Sequence, residues 1–212
     1  MQIAIPLFPR VTALDAIGPY EVLQRIPEFD VVFVGAERGE VRTENGMLGL
    51  TVDATFAEVT RPDVIVVPGG IGTRDQLDGS PLVDWVRAVH PTTTMTTSVC
   101  IGALVLGAAG LLTGLEATTH WGAVEILARL GAVPVRQRVV ELPDQRIVTA
   151  AGVSAGIDMA LRLVARLVDD TAAQAAQVSV EYDPEPPFEA GHPDKVGPEV
   201  MARIADYRRI RA

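Results

Sequence analysis

The chain has 212 residues, 48% of them hydrophobic and 21% charged, the length and make-up of one ordinary globular α/β domain. Its formal charge of −9 leaves no basic footprint for nucleic acid and no Lys/Arg run for an acidic membrane surface. No segment reaches the ~18 uninterrupted apolar residues of a membrane span, and MQIAIPLFPR at the start lacks the regions of a signal peptide; with a single cysteine, which excludes an internal disulfide, this leads to the expectation of a cytoplasmic protein.

Apolar runs alternate with amphipathic stretches along the chain. Residues 3–8 read as a first strand, 13–25 as a short helix and 29–35, FDVVFVG, as a buried strand ending in glycine. Asn45-Gly46, inside residues 40–52, signals a hairpin. Residues 63–67 form a strand closed by Pro68-Gly69-Gly70. Ser80 and Pro81 then open a helix over 81–90 as N-cap and first-turn residue. A threonine-rich strand follows at 93–99, then a helix over 101–112 that is apolar on nearly every side, hence buried, and ended by Gly114. Residues 116–119 read as a short strand and 120–130 as a helix closed by Gly131. Strands at 133–141 and 146–150 are joined through a turn at Pro143-Asp144. Amphipathic helices are expected at 154–167 and 171–182. From residue 183 to 212 the composition shifts to proline and glycine. This part reads as an irregular arm with a short helix over 198–209, attached to a single domain that spans 1–212. The alternation points to an α/β fold, a mostly parallel sheet with helices on both faces.

In such a sheet, ligands bind beyond the carboxyl ends of the strands. Three loops of that kind stand out: residues 9–21, PGGIG at 68–72 and SVCIG at 98–102. Cys100 lies between a strand and an apolar helix, where unpaired N–H groups and the helix dipole favour a thiolate and lower its pKa. Gly102 permits a sharp turn and a close approach, as in the nucleophile elbow of hydrolases. The competing reading is an inert buried thiol. The glycines of PGGIG can turn backbone N–H groups toward the same edge as an oxyanion site, and the loop lacks the Lys-Ser/Thr of a phosphate loop. Asp15 and Glu21 flank Gly18-Pro19 as proton carriers, with a helix cap as the plainer role for Asp15. His120, heading a helix, is either a partner for Cys100 or a structural residue. An ionised carboxylate beside a thiolate raises both pKa values, so a working pair keeps one group protonated. His90 and His192 read as helix-end and loop residues, and no His/Cys cluster has metal-ligand spacing.

The stretches LDAIGPYEVL (14–23), VPGGIG (67–72), TSVCIGALVLGAAGLLTGLEATTHW (97–121), AGVSAGIDMALRLV (151–164) and VEYDPEPPFEAGHPDK (180–195) together resemble the DJ-1/PfpI superfamily and, within it, the isonitrile hydratase (isocyanide hydratase) branch. The resemblance implies a flavodoxin-like three-layer fold and a homodimer. It also implies a hydro-lyase that converts isonitriles to N-substituted formamides without metal or organic cofactor. It places the nucleophile on Cys100 and the acid/base on Asp15, with Glu21 a weaker candidate, and it places oxyanion donors on Gly69, Gly70 and the amide of Ile101. Superfamily proteases carry His after the cysteine; Ile101 stands there and argues against protease activity. Isonitrile hydratases read C-T-G where this chain reads C-I-G, so an apolar β-branched wall replaces a hydroxyl. Two alternatives remain: an amidase-like ligand-sensing domain such as those of AraC-type regulators, and another thiol enzyme of the superfamily acting on a carbonyl.

Overall fold

A computed structural model describes residues 1–211. The chain divides into a first compact unit, residues 1–181, and a second that begins at Tyr182. In chain order the first unit holds β1 (Gln2–Pro6), α1 (Ala13–Leu23), β2 (Asp30–Gly35), β3 (Gly39–Arg42), β4 (Gly49–Val52), β5 (Ala54–Thr55), β6 (Val64–Val67), α2 (Pro81–Val89), β7 (Met95–Val99) and α3 (Gly102–Ala108). It continues with β8 (Glu116–Ala117), α4 (Val124–Arg129), β9 (Val133–Pro134), β10 (Val139–Leu142), β11 (Ile147–Ala150), α5 (Ala155–Leu167) and α6 (Asp170–Ser179). The second unit contains a proline-rich irregular stretch, a short 3-10 turn at Pro193–Lys195 and α7 (Pro198–Arg211).

The main sheet has seven strands in the order β10-β11-β7-β6-β1-β2-β5. Only β10 runs antiparallel to its neighbour. Successive residues of each central strand enter opposite cores. Ile3, Ile5, Val64 and Val66 pack with α1, α5 and α6 on one face, while Ala4, Ile65 and Val67 pack with α2, α3 and α4 on the other. Two filled faces explain why these strands read as continuous apolar runs rather than as alternating ones. α1 and α5 approach closely because small residues meet there. A Cβ on Gly156 would stand 3.1 Å from both Pro19 and Val99, and one on Gly18 would stand 3.3 Å from Ile157. This close packing seats α1 directly beside the end of β7.

The expected elements are found, and three of the differences in extent have a clear local cause or consequence. α3 ends at Ala108 rather than running to residue 112. Gly110 adopts φ +81. Its N–H donates to Gly107 O at 2.8 Å, and the Leu111 N–H donates to Leu106 O at 3.0 Å; these two bonds close a helix by the Schellman pattern. The stop is therefore at Gly110, with Gly114 serving a later turn. The helix expected over 120–130 starts as a 3-10 turn, Trp121–Ala123, before α4. The strand expected over 133–141 is interrupted: β9 pairs with β8 in a separate small sheet, and β10 forms the edge of the main one. Ser80 caps α2 as expected, its Oγ accepting from the Val83 N–H at 3.3 Å.

Leu104 on α3 is wholly buried against the sheet. Leu104→Ala is expected to lower the free energy of unfolding by about 2–5 kcal/mol through lost burial and the cavity left behind, read as a drop in the urea midpoint at unchanged slope.

Candidate active site

Four adjacent strands, β11, β7, β6 and β1, end at one edge of the sheet, and the chain beyond each contributes to one small cluster. β7 delivers Cys100. It adopts φ +58, in the left-handed region that a residue with a side chain rarely enters. Three backbone contacts hold it there. Its N–H donates to Ala150 O at 3.1 Å and to Ala151 O at 2.9 Å, and its carbonyl accepts from Thr119 Oγ1 at 2.9 Å. Gly102 completes the elbow, since a Cβ there would lie 2.2 Å from Val67 O. The thiol is only 5% exposed. Its sulfur accepts from the N–H groups of Ile101 and Val153. Val153 itself is a β-branched residue at φ +29, a strained conformation of the kind held where the surroundings over-determine it.

β1 delivers Asp15, in the first turn of α1 and fully buried. Its side chain does not cap its own helix. Oδ2 accepts the Gly69 N–H at 2.9 Å, the carboxyl is hydrogen-bonded with the Cys100 thiol, and the buried Oδ1 has no hydrogen-bond partner among the described residues. β6 delivers Gly69, wedged between the Asp15 carboxyl and the backbone of Ile101 that follows the nucleophile. A Cβ there would stand 2.7 Å from the Ile101 nitrogen and 2.9 Å from Asp15 Oδ2, so only glycine lets the loop pass between them.

These contacts correct two sequence-based expectations. The N–H of Gly69, expected as an oxyanion donor, is already donated to Asp15. The neighbouring Gly70 lies against backbone of the loop after β1, where a Cβ would meet Thr12 N at 2.4 Å. The Cys100 pKa also moves opposite to expectation. Burial and then the charge of Asp15 push the thiol well above its ordinary range, and the N–H groups of Val153 and Ile101 only partly offset them. The helix dipole loses because α3 has seven residues and the thiol is removed from water. Burial likewise raises the Asp15 carboxyl from 3.8 to about 7; the Gly69 N–H and the Cys100 contact oppose that rise, and Glu44 adds to it. At neutral pH the thiol keeps its proton and the carboxyl is near mid-titration, so the pair holds at most one negative charge.

Glu21 is not part of the cluster. It lies on the exposed side of α1, 3.3 Å from Arg25. His120 is near but differently occupied. Its Nδ1 accepts the Gly122 N–H at 3.1 Å, its ring lies 5.0 Å from that of Trp121, and it packs over Gly152, where a Cβ would meet Cδ2 at 2.8 Å. Sequence reasoning missed Thr119, Val153 and Glu44. Thr119 donates its side-chain hydroxyl to Cys100 O, and Val153 acts through its backbone N–H; neither contact is set by local sequence, since both residues reach the elbow only through the fold. Among the described residues, no three His, Cys, Asp or Glu side chains form a metal-sized group, and no helix is long and apolar enough to cross a membrane.

A family model described as the DJ-1/PfpI family matches residues 1–166, the stretch that holds both the thiol and the carboxyl. The chain belongs to the DJ-1/PfpI family. Among curated relatives it is 44% identical over 212 residues to the isonitrile hydratase of Pseudomonas putida, covering 100% of this chain and 90% of that protein. It is 28% identical over 165 residues to the HTH-type transcriptional regulator CdhR of Pseudomonas aeruginosa, covering 76% of this chain and 48% of that protein. Among solved structures, a ThiJ/PfpI family protein from Pseudomonas syringae superposes with a TM-score of 0.91 at 36% identity, covering 97% of this chain and 85% of that one. Drosophila melanogaster DJ-1beta shares the fold, with a TM-score of 0.76 at 22% identity over 85% of this chain and 97% of that one. The flavodoxin-like sandwich of the DJ-1/PfpI family is thus the fold of the first unit.

Because the folded carboxyl of Asp15 binds its proton more tightly than the unfolded one, its burial is free of penalty below about pH 4 and grows costly as pH rises from 3.8 to about 7. Asp15→Asn, which stays neutral, is expected to be a few kcal/mol more stable than wild type at pH 8 and equal to it near pH 4. Urea unfolding at the two pH values measures this, and equal stability at pH 8 would contradict a carboxylate buried at cost.

Proposed function

We propose that the chain is a hydratase of isonitriles, producing N-substituted formamides through a covalent bond to Cys100. The observation that carries the reading is the buried contact between the Cys100 thiol and the Asp15 carboxyl. The full-length 44% likeness to an isonitrile hydratase supports the choice of substrate class.

An isonitrile, R–N≡C, is neutral and has a terminal carbon able to accept both a nucleophile and a proton. Cys100 Sγ attacks that carbon while its proton passes to Asp15, which returns it to the same carbon. The product is the thioimidate R–N=CH–S–Cys100. Asp15 next takes a proton from water as the water adds to carbon and hands it to the imine nitrogen, giving R–NH–CH(OH)–S–Cys100 with Asp15 ionised again. Collapse expels the sulfur, which recovers its proton, and releases R–NH–CHO. The sum is one isonitrile and one water to one formamide, so the route calls for no redox partner. A neutral thiol suits this chemistry, because the proton must end on carbon and a pair holding one proton between two atoms supplies it. The N–H groups of Ile101 and Val153 point at sulfur and stabilise the charge that returns to it on collapse. The half-buried Ile101 side chain gives the R group an apolar wall. Gly69 holds the carboxyl through its N–H, and Gly70 packs against the loop after β1. Glu21 and His120 have no step in this route.

We further read the protein as a cytoplasmic homodimer that does not bind nucleic acid. The family resemblance supports the dimer, the single cysteine supports the compartment, and the charge of −9 opposes binding to nucleic acid.

Formamide formation from an aryl isocyanide tests the reading. Wild type is expected to turn over, Cys100→Ala to lose all turnover, and Asp15→Asn to lose at least ~100-fold with the fold intact. Mass spectrometry of quenched enzyme is expected to show a Cys100 adduct equal to the mass of the intact isonitrile. A wild type that labels readily at Cys100 yet makes no formamide would defeat the reading in favour of a ligand-sensing domain or a carbonyl-directed thiol enzyme.

A further inference from the structure

Asp15 shares its loop with a second carboxylate, which the route above does not use. From the buried side, Asp15 Oδ2 accepts the Gly69 N–H at 2.9 Å. From the solvent side, Glu44 Oε1 accepts the Ile71 N–H at 3.0 Å. Glu44 lies in the turn between β3 and β4, and that turn is tied to the same place. The Glu44 N–H donates to Val11 O at 3.2 Å, and the Thr12 N–H donates to Gly69 O at 3.0 Å. Following the chain from Glu44 to Ile71, back to Gly69, across to Thr12, and through Val11 to Glu44 closes a ring of hydrogen bonds. The Asp15 N–H is fastened to the same ring through Thr12 O at 3.1 Å. Val11 also bridges Thr43, and the Arg10 N–H donates to Arg42 O at 2.8 Å, so the hairpin is also anchored at the two residues that precede Glu44.

We propose that Glu44 is a positioning residue for the Asp15–Cys100 pair: its carboxylate closes the ring that keeps the Gly69 N–H on Asp15 Oδ2, and its charge acts on Asp15 across the loop. The ring has one side-chain bond, the one from Glu44; its other links are peptide backbone. Removing that side chain therefore opens the ring at a defined point. The other charged groups on the packed segments have partners of their own. Arg10 is 2.6 Å from Asp75, Arg42 is 2.7 Å from Glu40, and on α5 Asp158 is 2.6 Å from Arg138. Arg74 is exposed on the 3-10 turn after Ile71, and Glu21 of α1 is held by Arg25. Cys100 and Glu44 are the ionisable side chains that act on Asp15.

The proposal relies on the hydratase reading only for its kinetic readout, so two measurements are made on the full chain. One is the pH profile of kcat/KM for formamide formation, and the other is the pH profile of Cys100 alkylation by iodoacetamide. Both are compared for wild type, Glu44→Gln and Glu44→Ala, with thermal melts confirming that each variant is folded. Gln keeps an oxygen for the Ile71 N–H and removes the charge; Ala removes both. Losing a negative neighbour favours the ionised carboxylate, so the acid-side midpoint is expected to fall by about half a pH unit in both variants. The plateau of kcat/KM is expected to fall about tenfold in Glu44→Ala and to be largely recovered in Glu44→Gln. A wild-type midpoint and plateau in both variants overturn the proposal, as does an equal loss in both with an unmoved midpoint. If wild type turns over no isonitrile, the hydratase reading fails, and the midpoint of the alkylation profile still decides for or against Glu44.

Discussion

One buried contact, a thiol against a carboxyl with a single proton between them, governs the design of this site. Neither group is comfortable when charged out of water, and the charge of Asp15 makes ionisation of Cys100 harder, while the thiol contact partly eases that of Asp15. The surrounding backbone answers that difficulty. An N–H from Gly69 meets the carboxyl, and N–H groups from Ile101 and Val153 meet the sulfur. These donors come from the ends of different strands, so the sheet must hold β1, β6, β7 and β11 in register before the pair can exist at all. The seven-stranded sheet does this through its two packed faces.

The same fold serves DJ-1-like proteins that share about a fifth of their residues with this chain, so architecture alone says little about chemistry. The chemistry lies in the residues at the strand ends. Here an aspartate occupies the first turn of α1, and an isoleucine follows the nucleophile. The pairing retains a proton rather than expelling one. That suits a neutral, linear electrophile whose carbon must receive hydrogen, and it suits poorly any reaction that needs a free thiolate at rest.

Much of this was legible in the order of residues. The alternation of apolar runs with amphipathic stretches gave the layered sheet, and glycine-bracketed cysteine after a threonine-rich strand marked the elbow. Asp15 was visible as an acid in a loop after the first strand. The ionisation of the pair was not legible, because it depends on burial, and burial outweighed a helix terminus that is only seven residues long. The donors at Gly69 were misassigned for a related reason: a glycine pair announces that N–H groups are available, and says nothing of which acceptor reaches them first. Glu44 gave no signal at all. It lies 29 residues from Asp15 in the chain (44 − 15), in a surface turn, and only the folded hairpin brings it to the loop. The early end of α3 shows the local counterpart, where Gly110 wins over Gly114 by completing two hydrogen bonds to the preceding turn.

The elbow itself leaves unequal freedom to its three residues. Cys100 is fixed by chemistry and by its backbone angle, and Gly102 by a neighbouring carbonyl 2.2 Å from any added carbon. Ile101 between them is partly exposed, and its side chain is the one variable the turn can spare. A library aimed at new substrates can therefore vary this one codon and leave its two neighbours alone. Catalytic competence and substrate preference are written in adjacent letters, and the second can be rewritten without erasing the first.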